Sequence, residues 1–240
     1  MNSRQVVAYT PWQLWDFALD RGIALLLIGG LLSASVLWPG YIALSQQMPP
    51  ELVRMELLKI AVAQQVSILV VVAASGIVAN DRLGGYYRFL FSKPVRMPAY
   101  YALQFLVTLI GVLLVALILL AAYWLLVGWV SPRVPLTMIV VTYVALGGTI
   151  FFFSTFTRLD WGMLVVLWGA SALSRTLAAD SGWYRVVRWV LPPTHQIDKL
   201  RSDLFAGTGI DAGGTAWLVG YGLVLFLAGL VVLQRKAIAE

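Results

Sequence analysis

Between Asn80 and Tyr101 the chain sets Tyr86, Tyr87, Phe89, Leu90 and Phe91 almost side by side. Arg82, Arg88 and Lys93 stand around them, and Pro94 and Pro98 follow. Large aromatic side chains beside guanidinium groups bury much area and donate several hydrogen bonds, and such residues dominate protein–protein interfaces. The chemistry this segment offers is docking of another polypeptide, with anchoring to a membrane surface as the other reading of the same composition. Asp81 can cap a short helix over 81–94 with its charge favourably placed at the N-terminus, and Gly84 and Gly85 permit a sharp turn or close approach of another backbone. A second polar group, Gln64, Gln65 and Ser67, lies inside a long apolar run. Neutral polar groups in hydrocarbon must find partners, so these three face a neighbouring helix, as glue, or a wet cavity, as lining of a substrate path.

Residues suited to catalysis or metal binding are sparse. The chain has no cysteine and one histidine, His195, with only Asp198 near it, which gives no expected metal site. All eleven Asp and Glu residues fall outside the apolar cores, so no intramembrane carboxylate is on offer as a proton or sodium relay. No G-x-x-x-x-G-K-[ST] and no G-x-S-x-G occurs, so the chain is expected neither to cradle ATP phosphates itself nor to be an enzyme. The net charge of +6 carries no nucleic-acid-binding pattern.

The elements that must hold these residues are membrane helices. The composition is 60% hydrophobic and 12% charged, with a mean hydropathy of +0.85. A bilayer core about 30 Å thick takes roughly 20 apolar helical residues, and six runs qualify: 22–44, 58–79, 100–130, 135–156, 161–178 and 215–233. Continuous rather than alternating apolarity makes them helices and not barrel strands. The fold expected is an all-α integral membrane protein, one permease-like domain over 1–240. Six spans put both termini on one side. Lys and Arg in the short loops (Arg82, Arg88, Lys93, Arg96, Arg158) place that side in the cytoplasm, although Arg185, Arg188, Lys199 and Arg201 in the long fifth connection dissent. The late onset of apolarity after Asp16 and Asp20, with no A-x-A site, speaks against a cleaved signal peptide.

Before the first span, Thr10, Pro11 and Gln13 form a capping-box pattern. Gln13, Asp16 and Asp20 share one face and Trp12, Trp15 and Leu19 another, which describes an interfacial helix over 1–21. Gly147 and Gly148 mark a close-approach site or a hinge in the fourth span. In the connection 179–213, Thr194 can cap a short helix carrying Ile197, Leu200, Leu204 and Phe205 and ending near Gly207, with Asp198–Arg201 and Lys199–Asp203 spaced for ion pairs. Such outer-face helices can form a lid or a simple cap.

At the cytoplasmic segment the chain resembles the permeases of type 2 ABC transporters. That family's pattern after the second span is acidic-Arg-x-x-Gly, a short helix with a Leu-rich end, Pro-Val and an aromatic start to the third span. Here it reads Asp81, Arg82, Gly85, Leu90, Pro94, Val95 and Tyr100. Tyr86, Met97 and Gln104 depart from it, standing where a small hydroxyl residue, a basic residue and a lysine are common. The resemblance implies the membrane-spanning subunit of an ATP-driven exporter in a plasma membrane, such as a bacterial inner membrane. Asp81, Arg82, Gly85, Tyr86, Tyr87, Arg88, Phe89, Leu90, Phe91 and Pro94 would form a coupling helix seated in an ATP-binding-cassette ATPase subunit. Two copies of that subunit, which carry ATP and Mg, and a second identical or similar permease complete the expected assembly. This chain itself would bind no cofactor. The alternative is a membrane scaffold that recruits a cytoplasmic complex without moving a solute.

Overall fold

The computed structural model describes residues 3–46, 49–83, 96–157, 160–178 and 191–239. All regular structure among them is helical: α1 (Ser3–Phe17), a π-helical turn (Ala18–Gly22), α2 (Ile23–Ser45), α3 (Pro50–Ala74), α4 (Ala79–Leu83), α5 (Met97–Leu126), α6 (Arg133–Thr142), a second π-helical turn (Tyr143–Gly147), α7 (Gly148–Ser154), α8 (Asp160–Ala178), α9 (Thr194–Ala206) and α10 (Ala212–Ala239). Five helical stretches are long and apolar enough to cross a membrane: Tyr9–Trp38, Pro50–Asp81, Met97–Leu126, Arg133–Ser154 and Ala212–Arg235. Within α8 the apolar stretch among the described residues is the shorter Gly162–Ser171.

One expectation at the N-terminus is corrected. Thr10 is not an N-cap, because α1 already runs from Ser3 and Pro11 lies inside it. A capping box marks where a helix can begin, but Gln5 to Tyr9 contain no Gly or Pro that would keep the helix from extending backwards. The helix continues through the π-turn, where Phe17, Gly22 and Ile23 all keep right-handed helical torsions. Along this stretch Gln13 and Phe17, one turn apart, are buried, while Trp12, Trp15, Asp16, Leu19 and Asp20 are exposed.

The chain divides into two compact units. In the unit formed by Asn2–Ala73 and Leu106–Val140, small residues let helices approach. The Phe17 ring lies where a Cβ on Gly111 would sit, and Leu119 presses on Gly29 in the same way. Tyr123 donates its hydroxyl hydrogen to the Arg54 carbonyl at 2.6 Å, and Arg21 donates to the Ala73 carbonyl. Trp124 stacks on Trp129 at 4.4 Å and donates to the Val130 carbonyl at 2.9 Å.

The unit formed by Ala74–Phe105 and Val141–Glu240 is built on an aromatic cluster. Phe105 lies 4.4 Å from Phe226 and 4.7 Å from Tyr143, ring centre to ring centre, and Phe151 lies 4.9 Å from Phe226. The Tyr143 hydroxyl donates to the Phe105 carbonyl at 2.7 Å, so its one polar atom is satisfied within the cluster. Above the rings α7 and α10 cross at their backbones. A Cβ on Gly148 would fall 2.2 Å from the Gly222 carbonyl oxygen, and one on Gly222 would fall 2.1 Å from that of Val144. Gly148 is thus a close-approach site, the packing mode available to helices in lipid where no hydrophobic force joins them.

Candidate functional site

The second apolar run does not pass straight into the segment expected to dock a partner. α3 ends at Ala74, and the chain turns through Ser75–Val78 before α4. Gly76 makes the turn at φ +69°, a left-handed conformation that favours glycine. Its carbonyl accepts from the Asn80 N–H at 3.0 Å, and the Asn80 side chain fills the space where a Gly76 Cβ would stand. Ile77, Val78 and Ala79 are buried, so the turn is embedded rather than solvated.

A carboxylate from far along the chain fastens it. Asp160, the first residue of α8, accepts the Gly76 N–H on Oδ2 at 2.7 Å across 84 positions of sequence. It is 1% exposed and stands in the first turn of α8. The Gly76 N–H at the end of α3 would otherwise be a buried, unsatisfied donor, which costs about 1–3 kcal/mol. Sequence reasoning counted Asp160 only among the carboxylates outside the apolar cores. The available signal is an acidic residue in the first turn of a helix, but nothing local pairs it with Gly76.

Of the docking residues, Asp81 and Arg82 lie in α4. α4 starts at Ala79, so Asp81 occupies its first turn instead of capping it from outside. The two-residue difference arises because Gly76 turns the chain early enough for Ala79 and Asn80 to open the helix. Gly85, Tyr86, Tyr87, Arg88, Phe89, Leu90, Phe91 and Pro94 lie outside the described residues, as does the expected helix to Pro94. α4 delivers the chain directly to them.

The three substrate-path candidates are separated. Gln64 is exposed, Ser67 is half-buried, and Gln65 is buried with its Nε2 donating to Ser33 Oγ at 2.8 Å, which ties α3 to α2. Gln65 and Ser33 border a cavity of about 60 Å³ whose other walls include Leu58, Ala61, Leu119, Tyr123 and Ile139. Ligand pockets run to roughly 300–1,000 Å³, so a space this small accepts an alkyl group or a few waters. Tyr123 and the Gln65 amide nitrogen, two of its polar groups, already bond to protein atoms.

In the connection before α10, α9 ends with Gly207 at φ +66°, where the sequence signal puts it. Thr194 opens α9 behind Pro193 without making a side-chain cap. Its hydroxyl, buried, lies 3.3 Å from Ser171 Oγ, which also donates to the Pro192 carbonyl at 3.0 Å. Asp198 and Arg201 pair at 3.2 Å as their spacing predicts. Lys199 instead reaches Asp211 at 2.5 Å, a contact with the next helix start in place of the local one expected with Asp203. His195 is exposed beside Gln196, and no group of three potential metal ligands occurs among the described residues. No protein-family model, no curated protein and no solved structure matches the chain.

Proposed function

We propose that the chain is the membrane-spanning permease subunit of a type 2 ABC exporter, with six spans, both termini in the cytoplasm and the 81–94 segment docked in a separate ATPase. The observation that carries this reading is the pattern Asp81, Arg82, Gly85, Leu90, Pro94, Val95 and Tyr100 lying between two long apolar helices. The embedded turn before it is what a force-bearing segment requires, because a displaced docking helix moves the spans only if its root is fixed to them. Two permeases would pair around a path that opens outward when two ATPase subunits close on ATP and Mg. Gln64, Gln65 and Ser67 would be candidates for contact with the cargo on that path.

The test is copurification. Replacing Phe89, Leu90 and Phe91 together by Ala removes the aromatic hot spot, whose individual members cost about 2 kcal/mol or more when truncated. The triple variant is expected to insert normally and to lose an ATP-hydrolysing partner that the wild-type chain retains. Equal recovery of that partner with both chains would remove the docking role. A scaffold without transport would recruit a partner too, but its hydrolysis would not change on assembly.

A further inference from the structure

We infer that Asp160 is a positioning residue that carries displacement of the docking segment into α8. This rests on the docking reading above and goes beyond it by naming the tie. Three routes lead from that segment into the membrane. Two are the chain itself, back through α4 and the turn into α3 and forward into α5; the third is the side-chain bridge from the Gly76 N–H to the Asp160 carboxylate at 2.7 Å.

The backward covalent route and the bridge both pass the left-handed turn at Gly76, and the bridge leaves the chain at the Gly76 N–H, where it offers a branch to α8. It joins a main-chain donor that is fixed inside the turn to a carboxylate 1% exposed at the first residue of a 19-residue helix. Burial keeps water from replacing the hydrogen bond. Its neighbours Ile77, Val78 and Ala79 are packed as well. The Gly76 peptide and the start of α8 are therefore tied, and a push on α4 that reaches the turn is passed to α8 as well as to α3.

The chain has no cysteine, so a pair of spin labels can be placed on one chain at exposed Met163 in α8 and Val224 in α10. The probe is Mg-ATP, or its non-hydrolysable analogue, added to the permease copurified with its ATPase. In the wild type the nucleotide is expected to shift the Met163–Val224 distance distribution. Asp160→Asn keeps a carbonyl acceptor at the same reach and should keep the shift. Asp160→Ala should abolish the shift while copurification and basal ATP hydrolysis persist. If that variant fails to fold, Asp160→Ser serves in its place: its hydroxyl suits a helix start but falls short of the Gly76 N–H, and the shift should again be lost. A wild-type shift in a folded Ala or Ser variant overturns the tie and leaves docking intact. Failure of the wild-type chain to retain any ATP-hydrolysing partner overturns both.

Discussion

Asp211 holds two elements at once. One carboxylate oxygen meets Lys199 Nζ of α9 at 2.5 Å, and the other accepts the N–H groups of Gly213 and Gly214 at the start of α10, each at 3.1 Å. The Lys199 ammonium, followed by the Gly214 N–H, holds the Asp211 carboxyl below its ordinary 3.8. Asp211 in turn raises the lysine above its ordinary 10.5. For a depressed carboxyl the stabilisation is complete above 3.8 and is lost as pH falls through the lower folded value; for a raised lysine it is complete below 10.5 and is lost as pH rises through the higher one. The tether is therefore flat between those limits. Hydrogen exchange, corrected for intrinsic rates, should show α9 loosening from the start of α10 only in strong acid or strong base. Asp211→Asn should show the loosened pattern already at neutral pH. Both groups are solvent-exposed, so the change is local and α10 stays folded.

At the scale of elements, Gln65 of α3 donates to Ser33 of α2. Interhelical hydrogen bonds in lipid have measured couplings of about 0.6 kcal/mol on average and about 1.7 at most. A double-mutant cycle of Ser33→Ala and Gln65→Ala, read by unfolding in micelles, should return a coupling of that order. A coupling near zero would show that Gln65 gains nothing from Ser33. The sequence foretold that Gln65 needs a partner, since its place in an apolar run demands one, but not which helix supplies it. The same division recurs elsewhere. Gly207 is legible as a helix end because a left-handed C-terminal residue is a local demand, and Asp198–Arg201 is legible because i,i+3 spacing is local. Lys199–Asp211, Asp160–Gly76 and the Gly148–Gly222 crossing join residues 12, 84 and 74 positions apart, and no local pattern specifies them. Thr10 misled for the complementary reason. Its capping pattern is permissive, and the helix-compatible run ahead of it decided where α1 begins.

The whole molecule turns on α8, because the number of crossings fixes which side each terminus occupies. Five crossing helices place the chain ends on opposite sides of the bilayer; a sixth returns them to the same side, as the proposed exporter requires. α8 has 19 residues and so spans about 28 Å at 1.5 Å per residue, close to the roughly 30 Å of hydrocarbon. Its apolar part among the described residues is only Gly162–Ser171, with Ser174, Arg175 and Thr176 beyond. The proposed exporter has six crossings, so the proposal predicts that α8 crosses. A single cysteine at Thr157, before α8, or at Ser202, in α9, tests this with a membrane-impermeant maleimide. Ser202→Cys should react in sealed right-side-out cells, whereas Thr157→Cys and a C-terminal tag should be reached only after permeabilisation. Reaction of both cysteines from one side would mean that α8 folds back and that the α9 connection shares a compartment with the docking segment. An outward-opening path could not then be closed by α9, and the ATPase would find both surfaces facing it.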